Sequence, residues 1–131
     1  MKTGAGPVSG VDFVFVPTHD LEAAVDFYGT TIGLVRSVYL KDSHFAEFET
    51  GNLTLSIADA EAMGLKHQQN HNAIALHVDD VAAARSMLQE RGVSFDGDTL
   101  DTGVCHMAFF RDPDGNALML HHRYAPRRTE S

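Results

Sequence analysis

The sequence has little of several features that define other classes of protein. Tryptophan is absent and cysteine occurs once, at Cys105, so no internal disulfide and no thiolate-rich zinc site can form. No apolar run approaches the roughly 20 residues that a membrane span needs. The N-terminal stretch MKTGAGPVSG lacks the apolar core of a signal peptide. These absences predict a cytoplasmic protein with a loose N-terminal leader.

Positive charge is also scarce. The chain has 10 Lys and Arg against 18 Asp and Glu, a net charge of −8. This balance argues against nucleic acid or an anionic membrane as a partner and is compatible with a cationic ligand. The basic C-terminal stretch RYAPRRTES is interpreted as a frayed end. With 131 residues, 44% of them hydrophobic, the whole chain, 1–131, is predicted to form a single domain with its own core.

An internal repeat is the most informative feature of the sequence. VPTHDLEAAVDFYGTTIGL and HVDDVAAARSMLQERGV both run from an apolar strand to an Asp, then through apolar residues at helical spacing to a Gly. Asp20 and Asp80 are predicted to cap two helices, because their carboxylates can accept backbone N–H groups that otherwise lack partners. Gly33 and Gly92 close the two units, and Gly92 can adopt the left-handed conformation that stops a helix.

Strands are predicted on both sides of each helix. They are 11–16, 36–41, 44–50 and 52–57 in the first half, and 73–78, 93–95, 104–112 and 117–122 in the second. Each half therefore reads β-α-β-β-β, with module one at about 11–58, a polar linker at 59–72 and module two at about 73–122. The Pro and Gly of DPDGN, residues 112–116, predict a hairpin turn between the last two strands.

The motifs D-L-x-x-A-x-x-F-Y…G-L in module one, and V-D-D-V-x-x-A and D-P-D-G-N in module two, resemble those of the vicinal oxygen chelate superfamily. That superfamily includes glyoxalase I, extradiol dioxygenases, and the fosfomycin and bleomycin resistance proteins. The resemblance covers the chain from about Val11 to His122. It implies an α+β fold in which two tandem βαβββ modules form a half-open, eight-stranded, barrel-like sheet around a cavity. Two chains often pair or exchange modules to complete it, so a homodimer is expected.

Metal-dependent members of this superfamily carry four ligands, one in the first and one in the last strand of each module. The resemblance places these positions at Val11, Thr54, Ala73 and Met119, or at Asp12 in place of Val11 if the alignment shifts by one residue. None of the four is a good ligand for a hard or borderline divalent ion, and one carboxylate does not make a site that needs three or four ligands. No metal or other cofactor is therefore expected at the usual site; a divalent metal at a non-standard site is the alternative.

Strand alternation predicts which side chains line the cavity in place of a metal, because every second residue of a strand shares a face. If the family positions face inward, the lining is mostly apolar with a few polar groups, as in many small-molecule sites. The predicted ligand-binding residues are Phe13, Phe15, Thr54, Ser56, His77, Met119 and His121. His122 is predicted to lie on the opposite face with Leu118 and Leu120.

No catalytic residue is assigned, and His77, His121 and Cys105 are the candidates for chemistry. His77 and His121 could be a displaced metal pair or a general base, or simply hydrogen-bonded strand residues. Cys105 and His106 are adjacent in a strand and face opposite ways, so together they cannot form a nucleophile pair. Cys105 is otherwise a small buried hydrophobe. Glu47 is either a cavity carboxylate or an exposed strand residue.

Three functions remain open from sequence. The first is metal-independent binding of a small, partly aromatic or cationic molecule, as in the drug-sequestering bleomycin resistance proteins. The second is a lyase, isomerase or dioxygenase of the same superfamily with a non-standard site around His77 and His121. The third is a scaffold whose surface matters more than its cavity. Replacement of every family metal position favours the first function and leaves open whether the protein is an enzyme.

Overall fold

The computed structural model describes residues 4–127 and contains two modules of the predicted type. Module one comprises β1 (Phe13–Thr18), α1 (Leu21–Asp26), β2 (Val35–Leu40), β3 (Phe45–Glu49) and β4 (Thr54–Asp59). Module two comprises β5 (Ile74–His77), α2 (Val81–Glu90), β6 (Leu100–Asp101), β7 (Cys105–Arg111) and β8 (Ala117–Arg123). The α+β class and the βαβββ repeat are confirmed.

Both helices begin where their capping residues predict. The Oδ1 atoms of Asp20 and Asp80 accept hydrogen bonds from the backbone nitrogen three residues on, at 3.1 and 3.0 Å. Gly33 and Gly92 have positive φ angles of 86° and 92°, a conformation that costs glycine little. None of the helices in residues 4–127 has the length and apolar character that crossing a lipid bilayer needs.

The eight strands form two open four-stranded sheets. Their strand orders are β1-β4-β3-β2 and β5-β8-β7-β6. In each module the first and last strands are parallel, and the remaining pairs are antiparallel. No hydrogen-bonded strand pair joins the two sheets within residues 4–127, so a single chain does not close a barrel.

One predicted strand is wrong. Residues 93–95 contribute only an isolated bridge between Phe95 and Phe110, and the second strand of module two is Leu100–Asp101. The chain turns away after this bridge through Gly97, whose φ is 73°. Three residues, two of them apolar, are too few to show whether they form a strand or simply cover a core, and here Phe95 packs against the core cluster.

The linker and the described part of the C-terminal tail contain local structure. The linker contains one 3₁₀ turn, Glu61–Met63. In the basic tail predicted to fray, Arg123 is the last residue of β8, and the nitrogens of Tyr124 and Ala125 donate to Val104 O. The outermost parts of the predicted leader and tail, 1–3 and 128–131, lie outside the described residues.

One apolar core is shared by both modules. It contains side chains from one face of each sheet and from the inner sides of the helices, and these buried side chains form one continuous cluster. Its largest members include Val16, Tyr28, Phe48, Leu55 and Ile57 from module one, and Leu76, Leu88, Phe110, Leu118 and Leu120 from module two. Each fully buried aliphatic or aromatic side chain of this size contributes roughly 1.5–3 kcal/mol. The modules therefore pack through their helix-bearing sides.

A polar junction crosses this core at the DPDGN turn. Asp112 is 5% exposed, and its Oδ2 accepts hydrogen bonds from Tyr28 OH at 2.7 Å and Asn116 Nδ2 at 2.8 Å. Its Oδ1 accepts from the backbone nitrogens of Asp114 and Asn116, both at 2.9 Å. Asn116 Nδ2 also donates to Pro17 O at 2.8 Å. The turn that closes the last hairpin of module two is thus bonded to module one.

Asp114 extends the same junction to the corner between β1 and α1. Its Oδ2 accepts from Thr18 Oγ1 at 2.6 Å, and its Oδ1 accepts from His19 N at 2.8 Å. Gly115 has a φ of 82°, and a Cβ there would collide with the amide of Gln69. This amide donates to Asp114 O at 2.9 Å. A side chain at position 115 would therefore displace the Gln69 amide from this contact with the turn.

Tyr28 remains a hydrogen-bond donor because of its surroundings. Burial, together with the nearby Asp112 carboxylate, raises the pKa of Tyr28 far above its usual value. The phenol therefore stays protonated at neutral pH. Because the protonated form of Tyr28 makes the bond and its pKa is raised, this contribution to stability is present at neutral pH and is lost only in strong alkali.

Replacing Tyr28 with Phe tests the junction. The substitution keeps the ring in the core and removes the hydroxyl that donates to Asp112. We expect the free energy of unfolding to fall by about 1.5–3 kcal/mol, the range for a hydrogen bond to a charged group. Urea denaturation followed by circular dichroism measures the change.

Tyr39→Phe is the matched control, since the Tyr39 ring lies 5.1 Å from the Arg36 guanidinium carbon rather than against a buried carboxylate. We expect this control to change stability by less than about 0.5 kcal/mol. Equal destabilisation by the two substitutions would contradict a special role for the junction.

Candidate functional site

Each sheet leaves one face uncovered within the chain, and these are termed the open faces. Their members follow from strand alternation, because the intervening residues lie in the core. The open face of module one carries Phe13, Phe15, Glu47, Glu49, Thr54 and Ser56. The open face of module two carries Ala75, His77, Met107, Phe109, Met119 and His121.

The predicted ligand-binding residues all fall on these faces, but on two different sheets. Phe13, Phe15, Thr54 and Ser56 lie in module one, and His77, Met119 and His121 lie in module two. One member of each group lines a cavity, and these are two different cavities. Phe15 contributes to a cavity of about 420 Å³ beside the linker. His77 contributes to one of about 220 Å³ between β5 and residues 50–53.

Two aromatic rings are uncovered on the open face of module one. Phe13 is 55% exposed and Phe15 is 37% exposed. In the parallel pairing of β1 with β4, Phe13 lies beside Thr54 and Phe15 beside Ser56. Ser56 is only 9% exposed, so the accessible part of this group is the two rings and Thr54. Apolar rings next to a hydroxyl group form a surface suited to a partly polar aromatic molecule.

Two carboxylates share this face. Glu47 lies across from Ser56, and Glu49 lies across from Thr54, in the antiparallel pairing of β3 with β4. Both are half-buried. Glu47, for which the sequence left two interpretations, is therefore on the candidate site. Glu49 was not predicted from sequence, although the alternation of FAEFE already places it on the same face as Glu47.

Glu49 is held by hydroxyl groups from both neighbouring strands. Ser37 Oγ donates to its Oε2 and Thr54 Oγ1 donates to its Oε1, each at 2.6 Å. These hydrogen bonds, that of Ser37 most of all, lower the pKa of Glu49 below its usual value. The carboxylate is therefore ionised and oriented at neutral pH.

The family's metal positions carry poor ligands in the structure as well. Val11, Asp12 and Ala73 precede their strands, and the residues paired with Thr54 and Met119 are Phe13 and Ala75. Across residues 4–127, no three His, Cys, Asp or Glu side chains are grouped so that they could hold a metal ion. Whether the protein in solution functions without a metal is a separate question, and metal independence stays a prediction.

The two adjacent histidines of β8 lie on different sides of the sheet. His121 is the pairing partner of His77 in β5 and of Met107 in β7. His122 instead pairs with His106 and lines, with it, a cavity at the N-terminus of α2. His77 is exposed, with its Nε2 3.3 Å from Asp79 Oδ1. The predicted separation of His121 from His122 therefore agrees with the sheet register.

Cys105 and His106 also lie on opposite sides, in agreement with their adjacency in β7. The Cys105 thiol is buried, with its Sγ 3.2 Å from Thr102 Oγ1. His106 lies on the other side, where its Nε2 is 3.4 Å from Asp101 Oδ2 and its ring packs near Tyr124. Cys105 therefore lies on the same side of β7 as Met107 and Phe109 but is only 6% exposed, and its role in chemistry stays untested.

The chain is similar in sequence and structure to known proteins. The family model of the glyoxalase/bleomycin resistance protein/dioxygenase superfamily matches residues 10–120. TnmS3, an antibiotic binding protein from Streptomyces sp. CB03234, is 30% identical, with 90% of this chain and 98% of that chain covered and a TM-score of 0.75. A glyoxalase/bleomycin resistance protein from the same organism is 28% identical, with 86% of this chain and 100% of that chain covered and a TM-score of 0.68.

A more distant structure shares the fold alone. Lactoylglutathione lyase from Agrobacterium tumefaciens is 18% identical, with 88% of this chain and 95% of that chain covered and a TM-score of 0.76. The comparison with curated proteins gave no significant match. The family match spans most of the chain and includes both modules, so the protein belongs to the glyoxalase/bleomycin resistance protein/dioxygenase superfamily.

Proposed function

We propose that this protein binds and sequesters a small aromatic molecule on its open faces, without a metal ion. The observation that carries the proposal is the pair of uncovered rings, Phe13 and Phe15, beside oriented polar groups on one face. The 30% identity to a protein described as antibiotic binding supports the same class of function. A scaffold role has less support, since these faces are not filled by the chain's own side chains.

Covering the rings of Phe13 and Phe15 with a ligand is energetically favourable. An exposed aromatic side chain on a sheet loses its contact with water when a flat ligand stacks on it, and such burial is favourable. Aromatic pairs add roughly 0.5–1.5 kcal/mol beyond the area that they bury. The hydroxyl group of Thr54 and the carboxylate of Glu49 then orient the polar part of the ligand.

The function includes a homodimer in which the open face of module one meets the open face of module two from a second chain. The two halves of the predicted site lie on separate sheets of one chain, and a second copy in this arrangement would bring them together. Large apolar side chains on module one, including Val35 at 69% and Leu40 at 50% exposed, add an uncovered surface of the kind that marks interfaces.

Metal independence is part of the same proposal. Its support is the set of family ligand positions, which carry Val11, Thr54, Ala73 and Met119 rather than His and Glu. A cytoplasmic location, and the absence of nucleic-acid and membrane partners, stay predictions from the sequence.

A second function, an enzyme of the same superfamily, is favoured by one observation. His77 and His121 are direct partners in the parallel pairing of β5 with β8, on the open face of module two. Imidazole side chains can act as general acids and bases. The binding experiment separates this function from sequestration by asking whether the ligand is converted.

Ligand binding is tested with acridone, a fluorescent, uncharged tricyclic compound. We expect saturable binding that is equally tight before and after treatment with EDTA, and mass spectrometry should recover the probe unchanged. Phe13→Ala should weaken binding about tenfold, or about 1.4 kcal/mol, because the stacking surface is lost. Fluorescence titration measures the affinity.

Met87→Ala is the control, because Met87 is an exposed apolar residue of α2, away from the open faces. It should leave the affinity unchanged. Conversion of a bound compound that is abolished by His77→Ala or His121→Ala would replace sequestration with catalysis. Stoichiometric metal that EDTA removes together with binding would overturn metal independence.

Formation of the homodimer is tested by the mass of the protein in solution. Sedimentation equilibrium should give about twice the mass of the 14.3 kDa chain. Leu40→Lys should shift the equilibrium towards monomer, because it places a charge in the apolar contact. Met87→Lys serves as the charge-matched control and should leave the dimer intact. A monomer at all concentrations for the unmodified protein would contradict the proposed assembly.

A further inference from the structure

One carboxylate on the open face of module one is positioned by three strands. Glu49 belongs to β3, Thr54 to β4 and Ser37 to β2, and both hydroxyls donate to the carboxylate at 2.6 Å. A carboxylate on a long, flexible side chain loses rotamer freedom when it is fixed in this way. The structure therefore contains an ordered negative group at the edge of the proposed ligand surface.

The position of Ser37 depends on an irregularity in the sheet. The register of β2 against β3 shifts between Arg36 and Val38, so Ser37 is the extra residue of a β-bulge. Bulges redirect a side chain relative to a regular strand and are frequent beside functional sites. Here the bulge places the Ser37 hydroxyl on Glu49, and its Oγ also contacts Glu47 O at 3.4 Å.

The charge of Glu49 is not neutralised by a cationic side chain in the part of the chain that the structure describes. Ion pairs there join His19 with Glu61, His77 with Asp79, His106 with Asp101, and Arg111 with Asp96. Each carboxylate oxygen of Glu49 accepts one hydroxyl and has capacity for a further donor. An ionised, half-buried group with this remaining capacity favours a positive partner.

An uncovered ring lies next to this charge. Phe13 is paired with Thr54 across β1 and β4, and Glu49 is paired with Thr54 across β3 and β4. Phe13 and Glu49 therefore flank the same residue on the same face. A flat aromatic body over Phe13 places its substituent within reach of the carboxylate, and a cation there also interacts favourably with the ring.

We infer that Glu49 selects aromatic ligands that carry a cationic group, and that Ser37 and Thr54 position its carboxylate for this contact. The inference rests on the proposed function, since it names the class of molecule bound at that site. Electrostatic attraction from a chain with a net charge of −8 acts in the same direction over a longer range.

The test compares two probes of similar shape and different charge. 9-Aminoacridine is a cation at neutral pH, and acridone is uncharged. The unmodified protein should bind 9-aminoacridine about tenfold more tightly than acridone. Glu49→Gln keeps the size of the side chain and removes its charge; the amide oxygen can accept from one of the two hydroxyls, and the other hydroxyl must turn to accept from the amide NH₂. The substitution should therefore reduce the ratio of the two affinities from about ten to about one. Fluorescence titration at low ionic strength measures all four affinities.

Glu90→Gln is the charge-matched control on α2 and should retain the tenfold preference. Ser37→Ala should reduce the preference to about threefold, and Ser37→Thr, which restores a hydroxyl, should recover it. This recovery distinguishes positioning of the carboxylate from a general effect on the fold, which would alter acridone binding as well.

The outcomes separate this inference from the function on which it rests. Binding of neither probe would overturn both. Binding of the two probes with equal affinity, or a preference that survives Glu49→Gln, would overturn the role of Glu49 while leaving aromatic binding in place. A dimer lost in Glu49→Gln, with the probe preference intact, would assign the carboxylate to subunit contact and also overturn the inference.

Discussion

The buried carboxylate of Asp112 is the interaction on which the rest of the structure depends. A charge removed from water is costly unless hydrogen bonds replace its hydration, and here four donors do so: Tyr28 OH, Asn116 Nδ2 and the backbone nitrogens of residues 114 and 116. One of these donors belongs to module one. The carboxylate has all four donors only when both modules are in place. Polar contacts as well as apolar packing therefore specify how the modules are arranged, with one shared core and both open faces turned outward.

Much of the fold is readable from sequence because its signals are local. The capping residues Asp20 and Asp80, the closing glycines and the alternation along β8 each involve a few neighbouring residues. The division of eight strands into two sheets is not local, since it depends on contacts such as Tyr28 with Asp112, 84 residues apart. The strand expected at 93–95 failed for the same reason. Whether Phe95 continues a ladder or ends it depends on Gly97 and on the distant Phe110.

The candidate site shows the same limit. Alternation placed the seven expected residues on the uncovered faces, and it separated His121 from His122. It did not reveal that the two halves of the site lie on different sheets, nor that Glu49 is part of it. The role of Glu49 comes from a bulge at Ser37 and from hydroxyls on two other strands. A bulge leaves no clear mark in a sequence, because it is a matter of register between strands rather than of residue type.

The DPDGN turn also bears on the order in which the chain can fold. Its contacts with Pro17 and Thr18 span 99 and 96 residues, so they form only after most of the polypeptide has been synthesised. A nascent chain that ends before residue 112 lacks the carboxylate that accepts from Tyr28 OH. Long-range closure of this kind slows folding, and it ties the completion of the first half to the arrival of the second. The two halves repeat one pattern, yet they share one core and one buried carboxylate, so each half completes the other.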